Sequence, residues 1–201
     1  GAAPITKFDA TNFKTQFACE VKGWNVSEFL DRKTSRKMDL FAQYAVVCSD
    51  QAIEDAGLRG DDSEVNPDRA GVIWGSGIGG FQTFMNEALN FHRSEGIPRF
   101  SPFFIPMMIS DIAAGHISMR NGYRGPNFCT VSACASGTNA MIDAFNYIRL
   151  GKADVMVTGG SEAAVTEGGI GGFNALKALS TRNDEPATAS RPFDSTRDGF
   201  V

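Results

Sequence analysis

The stretch from Asn127 to Leu150 constrains the fold most. A β-prone run over Asn127–Ala133 ends in small residues around Cys134, and an apolar-periodic helix over Ser136–Leu150 follows, with Gly151 as its C-cap. A strand that passes into a helix through a few small residues predicts a layered α/β domain. The pattern also sets one thiol, Cys134, at the end of a strand expected to be fully buried, where the sites of α/β proteins gather. Two readings stand on pattern alone. Cys134 is an activated nucleophile beside the positive end of a helix, or it is a small core residue, the commoner fate of a cysteine. The strand–turn–helix logic is that of a nucleophile elbow, although G-x-S-x-G is absent.

The rest of the chain repeats the alternation. Met38–Ala56 predicts a helix with Leu40, Phe41, Tyr44, Val47, Cys48, Ala52 and Ile53 on its apolar face and Gly57 as C-cap, so Cys48 reads as a small buried residue. Asp61–Asp68 is a polar turn. Arg69–Trp74 predicts a strand entering a glycine loop at Gly75–Gly80, and Phe81–Arg93 a helix. Glu95–Pro106 reads as a loop, and Ser110–Asn121 as a helix with Ser110 or Asp111 near its N-cap. Val155–Thr158 is a short buried strand. A glycine-rich link at Glu167–Gly172 leads to a helix over Phe173–Leu179, and Thr181–Ser195 is a polar loop. Residues 1–30 read as a covering loop with short elements. Strands alternating with helices give an α/β class.

Composition excludes several functions. With 42% apolar and 21% charged residues the chain is globular, and 201 residues suffice for one sizeable core. A net charge of −4 argues against a general nucleic-acid surface. No apolar run reaches the roughly 18 residues of a membrane helix. Four cysteines without C-x-x-C spacing and only two histidines give no zinc pattern, and such cysteine usage suits a reducing cytoplasm. Gly75–Gly80 lacks G-x-G-x-x-G spacing from Gly75 and a convincing ribose-binding acid, so it reads as close backbone passage and not as a nucleotide site. His116 reads as a satisfied structural histidine and His92 as a surface residue. The chain starts without Met and stops at Val201 inside what looks like a beginning strand, so it reads as an internal piece.

S-A-C-A-S-G around Cys134, followed by T-N-A, resembles the nucleophile motif of β-ketoacyl-acyl carrier protein synthases, the condensing enzymes of fatty-acid synthesis. Further blocks agree in family order: Gly75–Gly80, Ser101–Pro106, Ala114–His116, Arg124–Pro126, Gly159–Glu162, Gly171–Phe173, Leu179–Asn183 and Ser190–Phe200. They cover most of Arg36–Val201 and look closest to the elongating synthase II type. The resemblance implies a thiolase-like fold, helices layered around a mixed sheet, with residues 1–201 forming a single partial domain. That domain would be the N-terminal half of the duplicated architecture, without its first strand and helix.

The resemblance also implies the chemistry. Cys134 takes an acyl group from acyl carrier protein, and malonyl-carrier protein then condenses with it after losing carbon dioxide. Ile78 and Phe173 match positions lining the acyl pocket, and Phe104 one reaching the neighbouring subunit of a homodimer. The strand near Asn127–Ser132 would pair across the two-fold axis. The family's two catalytic histidines and supporting lysine fall beyond Val201, and His92 and His116 do not match them. This piece alone is therefore expected not to condense substrates. Neither cofactor nor metal is implied. Lys33, Arg36 and Lys37 match a carrier-docking patch and Lys177 a further contact. Their setting agrees, since Arg32, Lys33, Arg36 and Lys37 crowd the start of the Met38 helix, where the dipole favours acids. An acidic carrier would be steered by such a cluster.

Three other classes are weaker. A non-catalytic partner subunit usually lacks the nucleophilic cysteine. A thiolase acting on coenzyme A thioesters is disfavoured by the S-R-P-F-D and S-T-R-N blocks, and a cysteine hydrolase by the lack of a histidine motif.

Overall fold

The computed structural model describes residues 1–59 and 65–201. In chain order the elements begin with strands β1 (Ala3–Pro4) and β2 (Phe17–Ala18), then helices α1 (Arg32–Ser35) and α2 (Leu40–Asp55). Strand β3 (Ala70–Gly75) follows, then helices α3 (Phe81–Arg93), α4 (Phe104–Met108) and α5 (Ile112–Asn121). Strand β4 (Asn127–Thr130), helix α6 (Ser136–Arg149), strand β5 (Val155–Gly160) and helices α7 (Glu167–Ala175) and α8 (Pro186–Ala189) complete the order. The chain divides into two compact units. One comprises Val26–Ala163, the other Gly1–Asn25 with Ala164–Val201.

The larger unit is built on a parallel sheet of order β4-β3-β5. All six residues of β3 are buried, as expected of a central strand covered on both faces. Alternation along β3 sends neighbouring side chains to opposite faces. Ile73 packs on Ala140 and Ala144 of α6. Trp74 Nε1 donates to Ser161 Oγ, which in turn donates to the carbonyl of Phe41 in α2 (both 2.9 Å). The predicted strands and helices at 69–74, 81–93, 136–150 and 155–158 form within a residue or two of their expected ends.

The smaller unit holds the antiparallel pair β1–β2, in register at Ala3 with Ala18. Buried Thr15 knits it together: its hydroxyl donates to the Ser180 carbonyl at 2.8 Å and accepts from Asn174 Nδ2 at 2.9 Å.

Several expectations are corrected. Cys48 is exposed, because α2 turns Val47 and Ser49 inward instead. The strand over Asn127–Ala133 ends at Thr130 and is only partly buried, since β4 lies at the sheet edge and Val131 already faces outward. The Glu95–Pro106 loop runs into a short helix, α4. The helix expected at Phe173–Leu179 starts earlier, at Glu167, where the Thr166 hydroxyl caps the Gly169 amide at 3.0 Å. The polar loop at Thr181–Ser195 contains α8. Of the turn at Asp61–Asp68, residues 61–64 lie outside the described residues, and the remainder leads into a one-turn 3-10 helix at Pro67–Arg69. The imidazole of His116 is not satisfied: its Nε2 is buried without a hydrogen-bond partner among the described residues, and burial pushes its pKa down.

Candidate active site

The sheet order creates the site. Chain leaving β3 returns beside it as β4, and chain leaving β4 crosses to the far side of β3 as β5, so the crossovers reverse direction and the segments after all three strands leave the sheet at its carboxyl end. Such a switch point is the usual ligand crevice of open α/β sheets. Gly75, Thr130 and Gly160 lie level there, Gly75 pairing with both. Small residues let α6 descend onto this edge. A Cβ on Gly160 would come within 2.9 Å of Gly137 Cα, and one on Gly75 would overlap the Ser136 carbonyl.

Cys134 stands on the turn between β4 and α6, and its residue is exposed. Ala133, just before it, has φ of 51°, a left-handed conformation in which an L-residue is strained. The turn is fastened from below by buried Ser136. The Ser136 hydroxyl donates to the Ala133 carbonyl at 2.6 Å and accepts the Ser132 amide at 2.9 Å. Thr130 Oγ1 donates to the Ser136 carbonyl at 2.8 Å, and Asn139 Nδ2 to Ser132 Oγ at 2.6 Å. No side chain caps the N-terminus of α6, where Ala135 is the N-cap. An exposed thiol one residue ahead of that uncapped turn meets the positive end of the helix dipole.

The glycine loop after β3 borders this turn. A Cβ on Gly77 would lie 3.5 Å from Ala133 Cα. Ile78 is exposed on the loop. The amides of Gly77 and Ile78 donate to Glu162 Oε2, at 2.6 and 3.1 Å. The donors a phosphate would need are thus already taken by a carboxylate of the chain itself, which argues against a nucleotide here. Gly79 has φ of 73° and presses on Met108 and Ser110, so this loop tolerates no side chain there. Phe104 opens α4, half-buried, and stacks on Phe100 at 5.5 Å; Phe100 stacks in turn on Phe91 at 5.4 Å.

The basic cluster sits differently from its expected place. Arg32 and Lys33 lie on α1, a separate turn capped by Asp31, while α2 begins only at Leu40 with buried Asp39 as its N-cap. The argument from the α2 dipole therefore falls away. Lys33 and Arg36 are exposed, and Lys37 lies over the Phe103 ring at 5.2 Å. Among the described residues none of the three forms an ion pair.

In the smaller unit Phe173 is half-buried on α7, edge-on to Phe200 at 5.2 Å. Lys177 is exposed, with φ of 53°, and lines a recess of about 260 Å³ with Lys14, Asn174, Leu179, Thr181 and Asp198.

Within the larger unit, then, Cys134 and the Ile78 loop come together, bordered by the segment that carries Phe104. Sequence reasoning missed the residues that fasten the site: Ser136, Asn139 and Glu162. The signals for Glu162 were an acid four residues past the predicted strand end at Thr158 and its place in the Gly159–Glu162 block. Among the described residues no group of three or more His, Cys, Asp or Glu could hold a metal, and no helix is long and apolar enough to cross a membrane.

Comparison with known proteins gives a consistent answer. The family model described as β-ketoacyl synthase, N-terminal domain, matches residues 2–201. Proteins named 3-oxoacyl-acyl-carrier-protein synthase 2 from Synechocystis sp. and Staphylococcus aureus are each 47% identical over all 201 residues, which cover 48% and 49% of those proteins. The crystal structure of a β-ketoacyl synthase from Burkholderia phymatum STM815 superposes with a TM-score of 0.83 at 33% identity, over 94% of this chain and 46% of that one. The chain spans about half the length of the curated relatives it matches.

Proposed function

The chain belongs to the β-ketoacyl synthase family, through the family's N-terminal domain, and on that premise we propose that it is the acyl-accepting half of a condensing enzyme of fatty-acid synthesis. The carrying observation is the exposed Cys134 thiol on a strained, multiply fastened turn ahead of an uncapped helix. The names of the Synechocystis and Staphylococcus aureus relatives support the substrate class, an acyl group on acyl carrier protein.

In the proposed reaction the Cys134 sulfur, as thiolate, attacks the carbonyl carbon of the acyl thioester. A new C–S bond forms, the carrier's thiolate leaves, and the acyl group stays on Cys134. Malonyl-carrier protein then loses carbon dioxide. Its carbanion attacks the acyl carbonyl, a C–C bond forms, and the Cys134 C–S bond breaks. The backbone N–H of Cys134 serves as one oxyanion donor, a contribution typically worth ~10²–10³ in rate. Ile78 walls the acyl pocket beside Cys134 in the larger unit, and Phe173, in the smaller unit, matches an acyl-pocket position of the family. Phe104 reaches the acyl pocket of a second copy in a homodimer, for which the exposed aromatic stack of Phe91 and Phe100 is suited.

Lys33, Arg36, Lys37 and Lys177 receive the acidic carrier. Residues 1–201 act as one partial domain of a longer cytoplasmic enzyme whose second half supplies the histidine pair. The apolar outer face of α6, with Met141, Ile142, Phe145 and Ile148 exposed, supports a covering partner layer. The chain alone is inactive in condensation.

The test uses the full-length protein with acyl-carrier protein and mass spectrometry. An acyl adduct on Cys134, absent in Cys134→Ala together with condensation, is expected. Unchanged condensation in that variant would overturn the proposal.

A further inference from the structure

Glu162 lies two residues past the end of β5 and reaches across to the loop after β3, 84–86 positions earlier in the chain. Its two oxygens hold three groups of that loop. Oε2 accepts the Gly77 and Ile78 amides, and Oε1 accepts the Ser76 hydroxyl at 3.2 Å. The Ser76 oxygen in turn accepts the Gly79 amide at 3.1 Å. From the other side the loop is backed by Met107, Met108 and Ser110, and the Gly80 amide donates to the Met108 carbonyl at 2.9 Å.

Gly77 is therefore caught between the carboxylate and the nucleophile turn. A Cβ there would lie 2.8 Å from Glu162 Oε2 and 3.5 Å from Ala133 Cα and carbonyl oxygen. The carboxylate is exposed, so water competes with each bond. What distinguishes it is geometry: one side chain ties successive loop residues to a strand end that shares the sheet with β4. The same carboxylate is close enough to push the Cys129 thiol upward, after the larger effect of burial. The fold alone does not demand a charge at this position, because β3 and β5 are already paired along their full lengths.

We propose that Glu162 is a positioning residue for acyl transfer: by gripping the Gly77 and Ile78 amides it sets the spacing between the Ile78 wall and the Cys134 turn, and so selects which acyl chains reach the sulfur. The inference rests on the reading of Cys134 as acyl acceptor.

The test follows Cys134 acylation in the full-length protein with a series of short to long acyl-carrier proteins. Glu162→Ala is expected to lower kcat/KM by roughly 10–100-fold for the chains that fill the pocket, and less for the shortest, as displacement of a reacting geometry by about 1 Å does. Glu162→Gln should restore most of the rate and the original chain-length profile. Its amide oxygen takes both N–H groups and its NH₂ donates to Ser76 Oγ. Ile78→Ala combined with Glu162→Ala should lose little beyond the worse single variant.

Should Glu162→Ala not fold, Glu162→Asp, which withdraws the carboxylate by one methylene, must show the same bias. An equal loss for every chain length, no loss, or independent multiplication of the two single effects overturns the role of Glu162 while leaving Cys134 intact. Failure of the wild type to form any Cys134 adduct overturns the parent reading, and this one with it.

Discussion

Cys129 and Cys134 lie five positions apart and carry the same thiol in different surroundings. Cys129 is on β4, half-buried, its sulfur directed to the Thr130 carbonyl at 3.4 Å. Burial pushes its pKa up, the nearby Ser76 amide pulls it down, and the charges of Asp111 and Glu162 push it up again. Cys134 lies past the end of β4, stands exposed, and directly precedes Ala135, the N-cap of α6, which no side chain caps. Sheet position leaves Cys129 half-buried with a reluctant proton, while the strained turn leaves Cys134 in the open, as the proposed nucleophilic role requires.

The contrast is testable in descending order of effect. Alkylation by iodoacetamide, followed site by site by mass spectrometry near neutral pH, should be ~10-fold or more faster at Cys134. Equal rates would erase the distinction. Gly75→Ala attacks what both cysteines share, since a Cβ there overlaps the Ser136 carbonyl and the Gly137 amide. It should cost about 1–3 kcal/mol or more of stability in urea denaturation. Ser136→Ala acts on the Cys134 side alone: it removes the hydroxyl that holds Ala133 and Ser132. A loss of about 1–3 kcal/mol is expected, with slower alkylation of Cys134 and an unchanged rate at Cys129.

The smallest effect concerns Cys129 and alkali. Its pKa is raised in the folded chain, so its contribution to stability is complete below the unfolded thiol value. As pH climbs from about 8.5 the unfolded chain sheds that proton first, and stability falls until the folded thiol also ionises. Cys129→Ala should flatten this decline in chemical denaturation measured across the alkaline range. A parallel decline would assign it to other groups.

Much of this was legible in the sequence, for local reasons. The helices at Phe81–Arg93 and Ser136–Arg149 and the strands at Ala70–Gly75 and Val155–Gly160 are written in short-range periodicity and glycine stops. Misreadings fell where tertiary contacts outvote local pattern. Cys48 fits an apolar face by spacing, yet α2 is rotated so that Ser49 is buried instead. Glycines at 168, 169, 171 and 172 read as a link but lie within α7, which Thr166 caps. His116 looked like a satisfied side chain, and only the packed environment leaves its Nε2 without a partner among the described residues.

By itself the sequence determined the α/β alternation, the family and the place of Cys134 between a strand and a helix, because each is carried by blocks of residues close together in the chain. Only the tertiary structure decided the order β4-β3-β5, the left-handed strain at Ala133 and the reach of Glu162 to the Gly77 and Ile78 amides. These depend on hydrogen bonds and close approaches between segments tens of residues apart, which no local period records.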